Sequence, residues 1–284
     1  MKNTLKATLL IFSFIIPLFA GTYNGGDGSE ENPYQISTIE NLIELSNTSS
    51  DWSSYFIQTA DISFNADSSI VDWDGDGNAL WDAGDQLGFL PIGNSTTKFL
   101  GTYNGDNHSI KNIFINRPTA DNTALFGYCS LADISNLTLI DVRITGNNLT
   151  GSLLGYSDRL EVNNCQASGK VTGIEEKTGG LIGFARITHV NNCHSSVNVE
   201  GGDDYAGGLI AHTETACEIR NCYSTGTVAN TGYGHSNGGL IGDNATSTVE
   251  YCYSTSDVSS RSTYAGGFAG RNASGTINDC YCTG

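Results

Sequence analysis

From residue 125 onward, one apolar position returns at a nearly constant interval. Leu125, Leu153, Leu181, Leu209, Leu240 and Phe268 follow one another at 28, 28, 28, 31 and 28 residues, each inside a small-residue phrase such as ALFG, GSLLG, GGLIG or GGFAG. A second phrase, aliphatic-x-polar-apolar, keeps step with the first. It runs from Ile134 to Leu137, Val162 to Cys165, Val190 to Cys193, Ile219 to Cys222, Val249 to Cys252 and Ile277 to Cys280, and Ile110 to Ile113 reads as its first copy. Between the phrases lie short β-branched runs, KVTG and VNVEG among them, broken by Gly, Asn and Ser, which is a strand-and-turn pattern. A unit this short cannot enclose a core, so each copy must bury its apolar face against the next. The pattern predicts an all-β solenoid of parallel strands, about seven rungs at ~4.8 Å each.

The cysteines change role in this light. Cys165, Cys193, Cys222, Cys252 and Cys280 occupy a slot that Ile113 and Leu137 fill in earlier copies, and a position accepting Ile, Leu and Cys is a core position where a thiol acts as a small hydrophobe. Stacked in register they form a structural core ladder. Export would permit disulfides, but the strand spacing exceeds the Cβ separation a relaxed bridge prefers, which favours free thiols. No CxxC pair suggests zinc. Asn164, Asn192 and Asn221, with Asn136 and Asn112 as earlier counterparts, read as corner residues that tolerate the left-handed region and hydrogen-bond neighbouring backbone. The pairs Gly179–Gly180, Gly207–Gly208, Gly238–Gly239 and Gly266–Gly267 read as tight corners.

Residues 1–20 carry Lys2 and Lys6, an apolar stretch from Leu9 to Leu18 and Ala20 at a cleavable position, the form of a secretory signal peptide. No later run is apolar enough to span a bilayer. The composition fits an exported chain: 13 Lys+Arg against 30 Asp+Glu gives a net charge of −17, which disfavours nucleic acid and anionic lipid as partners and suits a soluble secreted protein or a calcium binder. Residues 21–64 are expected to form a cap and the first strands. Ser37 and Glu40 have capping-box spacing, and Ile39, Leu42, Ile43 and Leu45 define a short apolar-faced helix; strands start near Tyr55 to Ile62.

Residues 65–123 are expected to be lead-in rungs carrying an acidic loop, 72–85. There Asp72, Asp74 and Asp76 alternate before Gly77 as in positions 1, 3, 5 and 6 of an EF-hand-type loop. Ala83 stands at position 12, so a structural calcium ion would also draw on Asp82 or Asp85; the alternative is a solvated acidic loop.

Chemistry otherwise finds little foothold. There is no HExxH, and His108, His189, His194, His212 and His235 are scattered and expected to be solvated. Asp203 and Asp204 are adjacent, and on a strand they would face opposite ways rather than form an acid/base dyad.

The phrases GGLIG, VNNC, IRNCYSTGTV and VEYCYSTSDV resemble the GLUG motif of bacterial exported proteins, a repeat of surface adhesins and of the non-catalytic N-terminal regions of some immunoglobulin A1 proteases. GSEENPYQISTIENLIELS, GFLPIGNSTTKFLGTYNGDNHSIKNIFINRP and TALFGYCS resemble the lead-in that precedes such repeats. GSLLG lacks the second glycine and GGLIAH has Ala211 in place of the last. The resemblance implies a right-handed parallel β-helix, GLUG-type repeats over 124–284, and a cell-surface or secreted bacterial setting. It implies binding or scaffolding without catalysis. The chain ends at Gly284 inside a repeat, so truncation and a longer parent chain are expected, as a monomer or part of that chain. Three functions stay open: an adhesion module using Tyr223, Tyr251, Tyr253 and Ser/Thr rows against an unknown glycan or extracellular protein, a passive stalk, and a carbohydrate-active β-helix enzyme of the polysaccharide lyase or glycosidase kind.

Overall fold

A computed structural model describes residues 21–65, 73, 85–261 and 263–284. Residues 1–20, expected from the sequence to be a signal peptide, lie outside the described residues. Among them the protein is an all-β parallel solenoid of about six turns, with a single short α-helix near the N-terminus. One turn is representative: strands Thr178–Gly179, Ile182–Arg186, His189–Asn191 and His194–Gly201 each pair in parallel with the strand one repeat later. Repetition builds sheets of nine, six, eleven and four strands. The six-stranded sheet sets the turn count at six rather than the seven expected from the phrases.

The register is that of the sequence repeat. In the nine-stranded sheet one column reads Phe56, Tyr103, Ile134, Val162, Val190, Ile219, Val249, Ile277. All but Ile277 are buried. The leucine of the first phrase does the same: the N–H of Leu153 donates to Leu181 O, Leu181 to Leu209 O, Leu209 to Leu240 O and Leu240 to Phe268 O, at 2.8–3.0 Å.

One early phrase is out of phase with this column. Ile110 pairs with Leu139 in the eleven-stranded sheet, and Tyr103 is the residue opposite Ile134; Asn112 likewise sits at a different corner, its N–H donating to Ile140 O. The physical reason is that any aliphatic-x-Asn-aliphatic run can turn a solenoid corner, so the phrase alone does not name its corner. Its interval to Ile134 is shorter than the repeat.

Three corners recur: Leu131, Arg159, Ile187 and Thr215 make one at φ of 49–57°, and the two expected from the sequence are made differently. Asn136, Asn164, Asn192 and Asn221 hold φ of 53–55°, the left-handed region that Asn tolerates, and Asn164 Nδ2 donates to Asn136 Oδ1 at 2.9 Å, as Asn136 does to Asn104. The glycine pairs differ from the Asn corners, for none of them has positive φ. There a Cβ would collide with backbone: on Gly208 with Gly239 O, and on Gly180 with Gly208 O. Close approach of successive turns, rather than a left-handed twist, demands glycine at this corner.

Helix α1 (Ile39–Asn47) buries Leu42, Ile43 and Leu45 in the cluster that contains the first turns. Its N-cap is Thr38, whose hydroxyl accepts the N–H of Asn41, while Asn41 Oδ1 accepts the N–H of Ser37. The expected Ser37–Glu40 box is thus shifted by one residue, since Thr38 offers an equally good β-region hydroxyl closer to the helix. Trp52 Nε1 donates to Leu45 O at 2.8 Å and ties α1 to the chain entering the strand Tyr55–Gln58.

Candidate functional site

The residue directly after each column cysteine lies on the outer side of the eleven-stranded sheet. These residues are Gln166, His194, Tyr223, Tyr253 and Tyr281, in register from turn to turn and aromatic from His194 onward. The aromatic rings stack with centroids 4.5, 4.7 and 5.2 Å apart and planes within 4–8°. Two residues on, Ser196, Thr225, Thr255 and Thr283 form a second, exposed column, held by Thr225 N–H to Ser195 O and its equivalents at 2.9–3.0 Å. The intervening Ser195, Ser224 and Ser254 are fully buried. Strand alternation therefore sets rows of phenol and alcohol groups one turn apart on a parallel sheet.

Stacking decides what this face can offer. Each inner ring already has an aromatic neighbour on both sides, so ring edges and hydroxyls, not open π-faces, meet solvent. Desolvation, then the neighbouring phenols of Tyr223 and Tyr281, push the Tyr253 hydroxyl above its ordinary pKa, which keeps it a neutral donor and acceptor. Tyr251 does not join the row: it occupies the Asn corner slot with φ of 55° and is 59% exposed. Sequence reading missed His194 and Tyr281, although the strings CHSS, CYST, CYST and CYCT carry the signal.

Behind this face run the cysteines. Cys165, Cys193, Cys222 and Cys252 are buried and Cys280 is partly exposed; all are free thiols. The backbone N–H of each donates to the sulfur one turn on, Cys165 to Cys193, Cys193 to Cys222, Cys222 to Cys252 and Cys252 to Cys280, at 3.4 Å throughout. Burial and the adjoining thiols push Cys193 well above the usual thiol range, the state of an inert thiol rather than a nucleophile.

Asp72, Asp74, Asp76 and Asp82 lie outside the described residues, and Asp85 opens the 3-10 turn Asp85–Leu87. Asp203 and Asp204 lie in the loop between Gly201 and Tyr205, not on a strand. No cluster of three His, Cys, Asp or Glu among the described residues could hold a metal.

The histidines are less uniform than expected. His108 faces Asp61 at 3.5 Å, His189 bonds Glu161 at 2.7 Å and His235 lies 3.9 Å from Asp204, all toward solvent. His194 is half-buried in the aromatic stack. His212 is also half-buried, against Tyr205 and Phe184 at 4.9 and 5.3 Å. Desolvation, then Lys177 and Arg271, lower its pKa to about 4. Tyr223 beside His194 and Phe184 beside His212 lie about one repeat away, while Tyr205 reaches His212 from seven residues upstream across the glycine corner. Asp243 is the register partner of His212, buried and paired with Arg271 at 3.2 Å.

Comparison with known proteins agrees with this architecture. A crystal structure from Bacteroides ovatus, of a protein named as a candidate immunoglobulin A1 protease, superposes with a TM-score of 0.68 over 92% of this chain and 78% of that one, at 19% identity. Halomucin of Haloquadratum walsbyi is 34% identical over 152 residues, 52% of this chain and 2% of that protein. A protein of Evansella cellulosilytica, provisionally named a Gly-rich membrane protein, is 29% identical over 152 residues, 50% of this chain and 16% of its own length. The chain thus spans a small share of the curated relatives it matches. No helix among the described residues is long and apolar enough to cross a membrane. Residues 202–229, the turn that includes Leu209, Cys222 and Tyr223, match the family model of the GLUG motif: the chain is a parallel β-solenoid that carries a GLUG motif.

Proposed function

We propose that this chain is an exported, cell-surface or secreted binding module without catalytic activity, and that the face bearing His194, Tyr223, Tyr253 and Tyr281 is its contact surface for a glycan or an extracellular protein. The observation that carries this reading is the pair of columns, a half-buried aromatic one and an exposed hydroxyl one, repeated once per turn on one sheet. Tyr is suited to interfaces because it offers large, rigid area with a polar tip. The leader-like residues 1–20, the net charge of −17 and a relative named for the membrane support the setting. Because ring edges rather than faces are available, recognition runs through hydroxyls, and the ligand presents hydrogen-bonding groups at a spacing near one turn.

A glycan and matrix-protein array probed with the chain tests the proposal. A bound ligand whose retention falls about tenfold in the double variant Tyr223→Phe, Tyr253→Phe, which removes two hydroxyls and keeps the stack, is the expected result. An array without hits would favour a passive stalk.

A further inference from the structure

A second site lies in the earlier turns, well away from that ladder. A pocket of about 170 Å3 has an apolar wall of Trp52, Leu90 and Pro91 and a polar wall of Arg117, Asp121 and Asn122. It is smaller than the roughly 300–1,000 Å3 typical of sites for drug-sized molecules, so it accommodates one ring rather than a chain.

The fold presets the polar wall. Arg117 leaves the strand Phe114–Asn116, and its Nε and Nη2 donate to the carbonyls of Phe89 and Gly88 at 3.4 and 3.3 Å. These bonds pin the guanidinium and leave it further N–H groups. Arg117 is half-buried and forms no ion pair with another described residue, and desolvation lowers its pKa. Asp121 is fixed by Asn147 Nδ2 and the N–H of Asn148, both to Oδ1 at 3.2 Å. Asn122, in the left-handed region with φ of 56°, holds an Oδ1 that is buried and lacks a partner. That oxygen is closed off from solvent, so the charged groups left to meet a ligand are those of Arg117 and Asp121.

The two charges decide the ligand class. Arg117 and Asp121 share the pocket without pairing, so an anion would meet a carboxylate and a cation would meet a guanidinium. A neutral ring with neighbouring hydroxyls suits both, accepting from Arg117 and donating to Asp121. Its C–H face would lie on Trp52, Leu90 and Pro91. The geometry points to a subsite for a single neutral pyranose ring, separate from the ladder and standing or falling independently of it.

Isothermal titration of the whole chain with methyl glycosides of glucose, galactose, mannose and N-acetylglucosamine tests this, with glucuronate and glucosamine as charged controls. At least one neutral glycoside is expected to bind saturably, with a dissociation constant on the order of 1 mM. Arg117→Gln and Asp121→Asn are each expected to weaken it about tenfold or more, while Tyr223→Phe leaves it unchanged. Asp121 is exposed, so Asp121→Asn keeps the fold and stands as the test if Arg117→Gln does not. Absence of saturable binding to every neutral glycoside, tighter binding of either charged sugar, or unaltered affinity in Asp121→Asn would overturn the assignment.

Discussion

At Cys193 the solenoid places a thiol where the neighbouring turns above and below leave no room for water. Replacing it with Asp strands a charge among Cys165, Cys222 and the carbonyls of Val162 and Asn191, and we expect a loss of several kcal/mol in urea unfolding, against about 1–2 for Cys193→Ala. Equal losses would mean that the side chain reaches solvent. His212 makes a second prediction at this scale. The unfolded chain takes up a proton near the usual 6.5 and the folded chain only near 4, so stability is full above about pH 6.5 and falls by up to about 3 kcal/mol as the pH drops toward 4. His212→Phe, which continues the row of Tyr156 and Phe184, should flatten that limb; identical pH profiles for parent and variant would refute the burial. The contrast shows what a sequence reveals about single residues. Cys193 was legible because Leu137 stands in its slot elsewhere, whereas no pattern in the chain announces that Phe184, a repeat away, and Tyr205, across the glycine corner, cover His212.

Among the elements, the corners carry the information. A methyl group on Gly208 would run into Gly239 O of the next turn, so Gly208→Ala should cost about 1–3 kcal/mol or more by forcing two turns apart. Asn192, at φ of 53°, should behave differently: Asn192→Gly is expected to be nearly neutral, and Asn192→Val to cost about 1–2 kcal/mol. Thermal melts of the three variants separate a corner that needs space from a corner that needs a left-handed backbone. Both corner types were visible in the repeat, but the reason for glycine was not, since only the stacked backbone shows the collision. The same limit explains Ile110. Its phrase had the right chemistry and the wrong corner, because side-chain pattern reports that a strand turns inward and is silent on which sheet receives it. The aromatic row was half legible for a related reason: Tyr223 and Tyr253 were conspicuous and CHSS and CYCT carried His194 and Tyr281, yet only the register of the sheet removes Tyr251.

For the whole molecule, stability is a sum over turns and the contacts between them, so the ends and the middle should respond differently. If the acidic loop holds a structural calcium ion, as we propose from Asp72, Asp74 and Asp76, then calcium should raise the melting temperature and chelator should reverse it, since a ligand bound only by the folded state stabilises it by mass action; Asp74→Ala should abolish the difference. An unchanged melting temperature in the parent protein would dismiss the ion. The far end supplies the last test. Val249 and Leu240 are fully buried, but one turn later Ile277 and Phe268 are partly exposed and Cys280 has half-emerged from its column. Among the described residues the strands Tyr264–Gly266, Ala269–Asn272 and Thr276–Asn278 are paired on one side only, so in a polypeptide prepared with its last residue at Gly284 they are edge strands. Each inner strand must break two ladders to open, and each of these breaks one. Amide exchange should therefore be fastest for 264–282, intermediate for 236–260 and slowest for the turns from 126 to 201, and Cys280→Asp should cost far less than Cys193→Asp. Uniform protection from 126 to 282, or equal penalties at Cys193 and Cys280, would show that the chain opens as a single cooperative block and not turn by turn from this end.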